Sequence, residues 1–138
     1  MSLLQLIGDP PPDEISRIYG PGGAPAYVFG PDAAVGQPAI AHFSNPFYRQ
    51  FSLLFHVKPD SAKPAVLFSI TDHFQKFMYV GVKLSAVERG RQRLLFFYTE
   101  PDSDASYQAA SFDLPPLVGT WTRFSLAVTD DQVNTSCF

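Results

Sequence analysis

The chain has 138 residues, a net charge of −3 and only 17% charged residues, a size for one domain and a charge balance unlike the basic excess of a nucleic-acid binder. No apolar run approaches the length of a membrane span, and the opening MSLLQLIGDPPP lacks the basic start and small-residue cleavage site of a secretion signal. With 13 Phe, 6 Tyr, 13 Pro and 9 Gly and no sustained helical periodicity, the composition points to an all-β fold with many turns; one cysteine, Cys137, forms no intrachain disulfide.

In chain order, Ser2 is placed to cap a short helix over residues 2–7, with Leu3, Leu6 and Ile7 on one face and Gly8 as its stop. Asp9 and three prolines force an extended turn, DEISRI reads as a further short turn, and YGPGGAP as a loop. Strands are predicted at AYVF, IAHF, FSLLFHVK, AVLFSIT, FMYVGVKL, RLLFFYT, ASFDL and WTRFSLAV. Strands spaced by about ten residues suggest a sandwich of two antiparallel sheets. The alternation assigns Phe51, Leu53, Phe55, Val66, Phe68, Ile70, Val80, Val82, Phe124 and Leu126 to the core. Met78 and Leu84 share the face of Val80 and Val82, with Phe77, Tyr79, Gly81 and Lys83 opposite.

Residues able to carry chemistry are few. His42, His56 and His73 show no metal-ligand spacing, and a single cysteine offers no zinc set. SITDH holds Ser69, Asp72 and His73, but closeness in sequence does not make a triad, and a turn after a strand is the simpler reading. The acids of TEPDSD and TDD read as solvated loops, with calcium as the alternative. No catalytic residue, metal site or cofactor is assigned. The basic constellation is Arg89, Arg91 and Arg93 at alternate positions of ERGRQR, with Lys83 on the preceding strand. It reads as a solvated hairpin end, or functionally as a site for a sulfated glycan, since guanidinium forks match anionic groups. Asn134 opens NTS, an acceptor pattern for N-glycosylation. In FSLLFHVK, Phe51, Leu53, Phe55 and Val57 face the core, while Ser52, Leu54, His56 and Lys58 point outward. With Phe77, Tyr79 and Lys83 facing the same way on their strand, that outer side is a candidate shallow docking surface.

The segments LLQLIGDPPP, AYVFGPDA, FSLLFHVKP, VLFSITD, VGVKLS, YTEP and WTRFSLAV, in this order, resemble the N-terminal thrombospondin-like domain of the multiplexin collagens, types XV and XVIII. IGDPPP, GAPAYVFGPDA and QKFMYVGVKLSA are closer to type XV. The resemblance runs from about Leu3 to Val128 and implies a single laminin-G-like jelly-roll domain over residues 1–138. It implies a non-catalytic interaction module of an extracellular matrix protein near basement membranes. Matrix proteins and heparan sulfate are the expected partners, nucleic acid and membrane are not, and oligomerisation in the parent runs through collagenous segments. It also implies a strand after Val128 leading to a cysteine, then further strands and a second cysteine. TDDQVNTSCF ends before those, so a C-terminally truncated domain is expected, with Cys137 as a free thiol beside an open edge. The alternative function is a calcium-dependent lectin-like domain, because jelly rolls also host lectins.

Overall fold

The computed structural model describes residues 1–33, 35–100, 103–130 and 132–137, the side chain of Cys137 excepted. The chain divides into two compact units, Met1–Phe43 and Ser44–Phe138.

In the first unit the predicted helix is a single 3-10 turn, Leu3–Leu6, and the Ser2 side chain makes no capping bond. Gly8 follows with φ 94°, a value that glycine accepts without strain. Of DEISRI, only Asp13 and Glu14 form a turn. Ile15–Tyr19 forms strand β1, which pairs antiparallel with β2, Pro25–Phe29. The reason lies in Ile15, Ile18 and Tyr19, β-branched and aromatic residues that favour extended backbone. A strand then places Ile15 and Ile18 on opposite faces; Ile15 is buried and Ile18 exposed. The predicted strand IAHF is instead a 3-10 turn, Ala39–Ala41, entered from Pro38.

The second unit is the predicted sandwich. Its strands are β3 Gln50–Val57, β4 Ala65–Thr71, β5 Met78–Leu84, β6 Gln92–Tyr98, β7 Gln108–Leu114, β8 Thr122–Thr129 and β9 Gln132–Cys137. One sheet has the order β3-β8-β9 and the other is the meander β4-β5-β6-β7, with every neighbour antiparallel. Val80, Val82, Leu84, Leu94, Phe96 and Leu114 of the meander form one core with Phe124, Leu126 and Val128 of β8. The sheets meet directly: the Phe51 ring lies 6.2 Å from Phe96 and 6.3 Å from Tyr98. Phe55 stacks on its cross-strand partner Phe124 at 4.9 Å.

Of the predicted core, Val80, Val82, Phe124 and Leu126 are buried, and Phe51, Leu53, Phe55, Phe68 and Ile70 are half-buried against them. Val66 is not core; it is 53% exposed. The pairing of β4 with β5 slips between Val66 and Phe68, so strict alternation fails and Leu67 packs inward beside Phe68. A second slip between Ile70 and Thr71 affects Met78. Its side chain lies where a Cβ on Gly81 would stand, so it leaves the face of Val80 and Val82. TDDQVNTSCF contributes β9, which pairs with β8 from Phe124↔Cys137 to Thr129↔Gln132. Phe138 lies outside the described residues.

Candidate functional site

The two broad outer faces of the sandwich each carry a basic group. On the meander, Arg89 and Gly90 are the centre of the β5–β6 turn, with φ 53° and 72°. Glu88 and Arg91 exchange backbone bonds of 2.9 Å in both directions across it. Two successive positive φ values give the reverse twist that tight hairpins prefer. Arg89 therefore leaves the alternation of Arg91 and Arg93. Arg93 and Lys83 are diagonal neighbours on the outer face, since Lys83 pairs with Leu95 and Ser85 N–H donates to Arg93 O at 2.9 Å. The Lys83 ammonium lies 5.1 Å from the Phe97 ring centre. Among the described residues, no carboxylate comes within 4.0 Å of Arg89, Arg91 or Arg93. Yet Glu88 sits opposite Arg91 and Asp113 opposite Arg93 in register, which weakens the local positive field.

Beneath this hairpin lies a buried polar tie. Gln92 Nε2 donates to Ser85 O at 3.0 Å, and its Oε1 accepts from Leu117 N–H at 3.0 Å. The hairpin base is thus anchored to the segment between β7 and β8.

The second basic group sits on the other sheet. β3 pairs with β8, not with β4 or β5, so His56 and Lys58 do not share a surface with Tyr79 and Lys83. They lie on opposite sides of the sandwich, which corrects the expected joint docking surface. Register brings His56 opposite Arg123, and Trp121 stands two residues before Arg123, just ahead of β8. The His56 and Trp121 rings are 5.0 Å apart, and Lys58 Nζ is 5.9 Å from the Trp121 ring centre. Leu54, 74% exposed, lies beside them at the edge of a shallow open depression of about 240 Å³ lined also by Phe55, His56, Arg123 and Phe124. Trp121 and Arg123 were not singled out from sequence. The available signal was the single Trp of the chain standing two residues before an outward arginine.

Asn134 is exposed in β9 and shares the outer face with Ser136, while Thr135 Oγ1 donates to Ser125 O at 3.0 Å. Asp72 is a turn residue. Its carboxylate accepts from Lys76 N–H at 2.6 Å and Phe77 N–H at 2.8 Å. These bonds, the one from Phe77 first, hold its pKa below the ordinary carboxylate value. His73 packs edge-on against Phe74 at 5.2 Å. Among the described residues, no group of three or more His, Cys, Asp or Glu side chains is arranged to hold a metal. Asp102 of TEPDSD and Asp131 of TDD lie outside those residues.

Fold and surfaces define an antiparallel β-sandwich with a basic patch on each broad face. The chain is 50% identical over 128 residues to a segment of the collagen alpha-1(XVIII) chain of Homo sapiens, a multiplexin collagen. The match takes in 93% of this chain and 7% of that collagen's length. No family model and no solved structure matches the chain.

Proposed function

We propose that the chain is a non-catalytic interaction module of an extracellular matrix collagen, a thrombospondin-like, laminin-G-like domain that presents a stiff sandwich to matrix proteins and heparan sulfate. The observation that carries this is the 50% identity, over nearly the whole chain, to a segment of a human collagen. Within the multiplexins, IGDPPP and QKFMYVGVKLSA favour type XV as the parent. Gly-X-Y triplets in the same reading frame as this chain are the expected result of sequencing the full transcript. A transcript without them refutes the collagen assignment.

The hairpin is the first glycan contact of this reading, with Arg91, Arg93, Lys83 and Arg89 as its cations. Salt-sensitive retention on immobilised heparin is expected, weakened by Arg89→Asn/Arg91→Gln/Arg93→Gln. Asn is chosen at 89 because it tolerates the positive φ there. Unchanged elution of that variant removes the hairpin from the site. Secretion of the parent through the glycosylating pathway is expected to load Asn134, seen as a glycosidase-sensitive mass that Asn134→Gln abolishes.

A further inference from the structure

The outer face of the β3-β8-β9 sheet combines three features. Two cationic side chains, Lys58 and Arg123, flank His56: Arg123 stands opposite it in register, and Lys58 follows the end of β3. Trp121 holds the group together: His56 packs on it at 5.0 Å, and the Lys58 ammonium sits within cation–π range at 5.9 Å. Among the described residues, no carboxylate comes within 4.0 Å of Lys58 or Arg123. None of the outward positions from Ser52 to His56 on β3, from Arg123 to Ala127 on β8, or from Asn134 to Ser136 on β9 is acidic. This sets the patch apart from the hairpin, where Glu88 and Asp113 stand opposite two of the arginines. In a chain of net charge −3, a cationic patch with no ion-paired carboxylate among the described residues is a local exception that draws anions.

We infer that this face is a second anion-binding surface, distinct from the hairpin, and that its occupant is a sulfated polysaccharide chain. The proposal rests on the reading of the chain as a module that meets matrix glycans. The shape favours that occupant. The depression beside His56 and Arg123 is shallow and open, suited to a polymer laid across a flat sheet and not to a small molecule enclosed in a cleft. Arg123 supplies the planar fork that pairs with two oxygens of one sulfate, and Lys58 supplies a point charge for the next. Leu54 offers an exposed apolar edge for the C–H face of a sugar ring.

Trp121 is the only tryptophan in the chain, so its fluorescence reports on this face. The test titrates the whole chain with a heparin hexasaccharide and follows that emission. A saturable change is expected, moved to higher glycan concentration by added salt. Lys58→Gln/Arg123→Gln keeps much of the aliphatic bulk while removing both charges. It is expected to weaken binding about tenfold or more, the equivalent of losing one charge-assisted hydrogen bond. The hairpin variant Arg89→Asn/Arg91→Gln/Arg93→Gln is expected to leave the Trp121 titration unchanged. Urea unfolding of each variant confirms that it is folded, and Lys58→Arg, which keeps the charge, is expected to bind as the parent does. Retention on heparin without any Trp121 response overturns the proposal in favour of the hairpin alone. An equal Trp121 response to polyglutamate of matched charge overturns the polysaccharide in favour of an acidic protein partner. No binding by either readout overturns it outright. The transcript test concerns the parent protein and not this surface, so the two failures are told apart.

Discussion

Replacing Gln92 is expected to destabilise the sandwich more than any other polar substitution near the hairpin. The residue is fully buried and its amide spends both ends on backbone, donating to Ser85 O and accepting from Leu117 N–H. In Gln92→Ala the N–H of Leu117, itself buried, loses its acceptor, at a cost of about 1–3 kcal/mol. The half-buried Ser85 carbonyl adds about 1 kcal/mol, and the lost methylene packing about 1 kcal/mol more. Together these come to about 3–5 kcal/mol, a large share of a typical 5–15 kcal/mol domain stability. Gln92→Glu separates the two bonds. One carboxyl oxygen still accepts from Leu117, while the other faces Ser85 O and needs a proton to bond there. Folding then raises the pKa of the introduced carboxyl. Its contribution is fully present below the unfolded value of about 4.3 and is lost as pH rises through the higher folded value. Urea unfolding followed by Trp121 fluorescence is expected to show a gap between Gln92→Glu and the parent at pH 7 that narrows at pH 4. A loss below about 1 kcal/mol for Gln92→Ala, or a gap that ignores pH, refutes the reasoning.

Leu126→Ala, in the centre of the core, is expected to cost about 2–5 kcal/mol, and Val66→Ala, on the exposed side of the slipped strand, less than about 0.5 kcal/mol; denaturant titration of both tests the β4 register. Tyr98 donates to Tyr48 O at 3.1 Å, and burial, then the nearby Glu100, raise its pKa above 10.0. A folded pKa above the unfolded one gives stability that is whole below pH 10 and is lost as pH climbs through the folded value. Alkaline titration by tyrosinate absorbance is expected to show a late phase that Tyr98→Phe removes. At the hairpin, Arg89→Gly is expected to be neutral or slightly stabilising and Arg89→Val to cost about 1–2 kcal/mol, because a branched side chain opposes positive φ; thermal melts distinguish the two.

Strands whose residues alternate strongly were legible in the sequence. β4 was read with its observed bounds, and β3, β5, β6 and β8 to within about a residue. The failures have separate physical causes. Ile15–Tyr19 was read as a turn because its apolar spacing of three suits a helical face, and only pairing with β2 shows the strand. IAHF has strand residues but sits beside Pro38, where a 3-10 turn closes locally. β9 reads as polar because Val133 is its sole aliphatic residue, and it is held by backbone pairing to β8. Val66 and Met78 went wrong at register slips, which depend on the partner strand and leave no trace in one strand's own pattern. The hairpin arginines were visible because they are neighbours in sequence. The patch of His56, Lys58, Trp121 and Arg123 was not, because its two halves come from strands far apart in the chain.

That separation sets an order of events in folding. Strands β4 to β7 follow one another in space as in sequence, so each hairpin closes a short loop. β3 finds its partner only across the whole meander, with Val57 meeting Thr122. The entropy of closing so long a loop is spent in one step and is recovered only when Phe124, Leu126 and Val128 reach the meander's core. In a chain emerging from the ribosome, β3 must wait, unpaired, while four later strands are made. Its inward row Phe51, Leu53, Phe55 and Val57 is uncovered during that interval, which makes β3 the segment on which a chaperone, or a wrong neighbour, acts first.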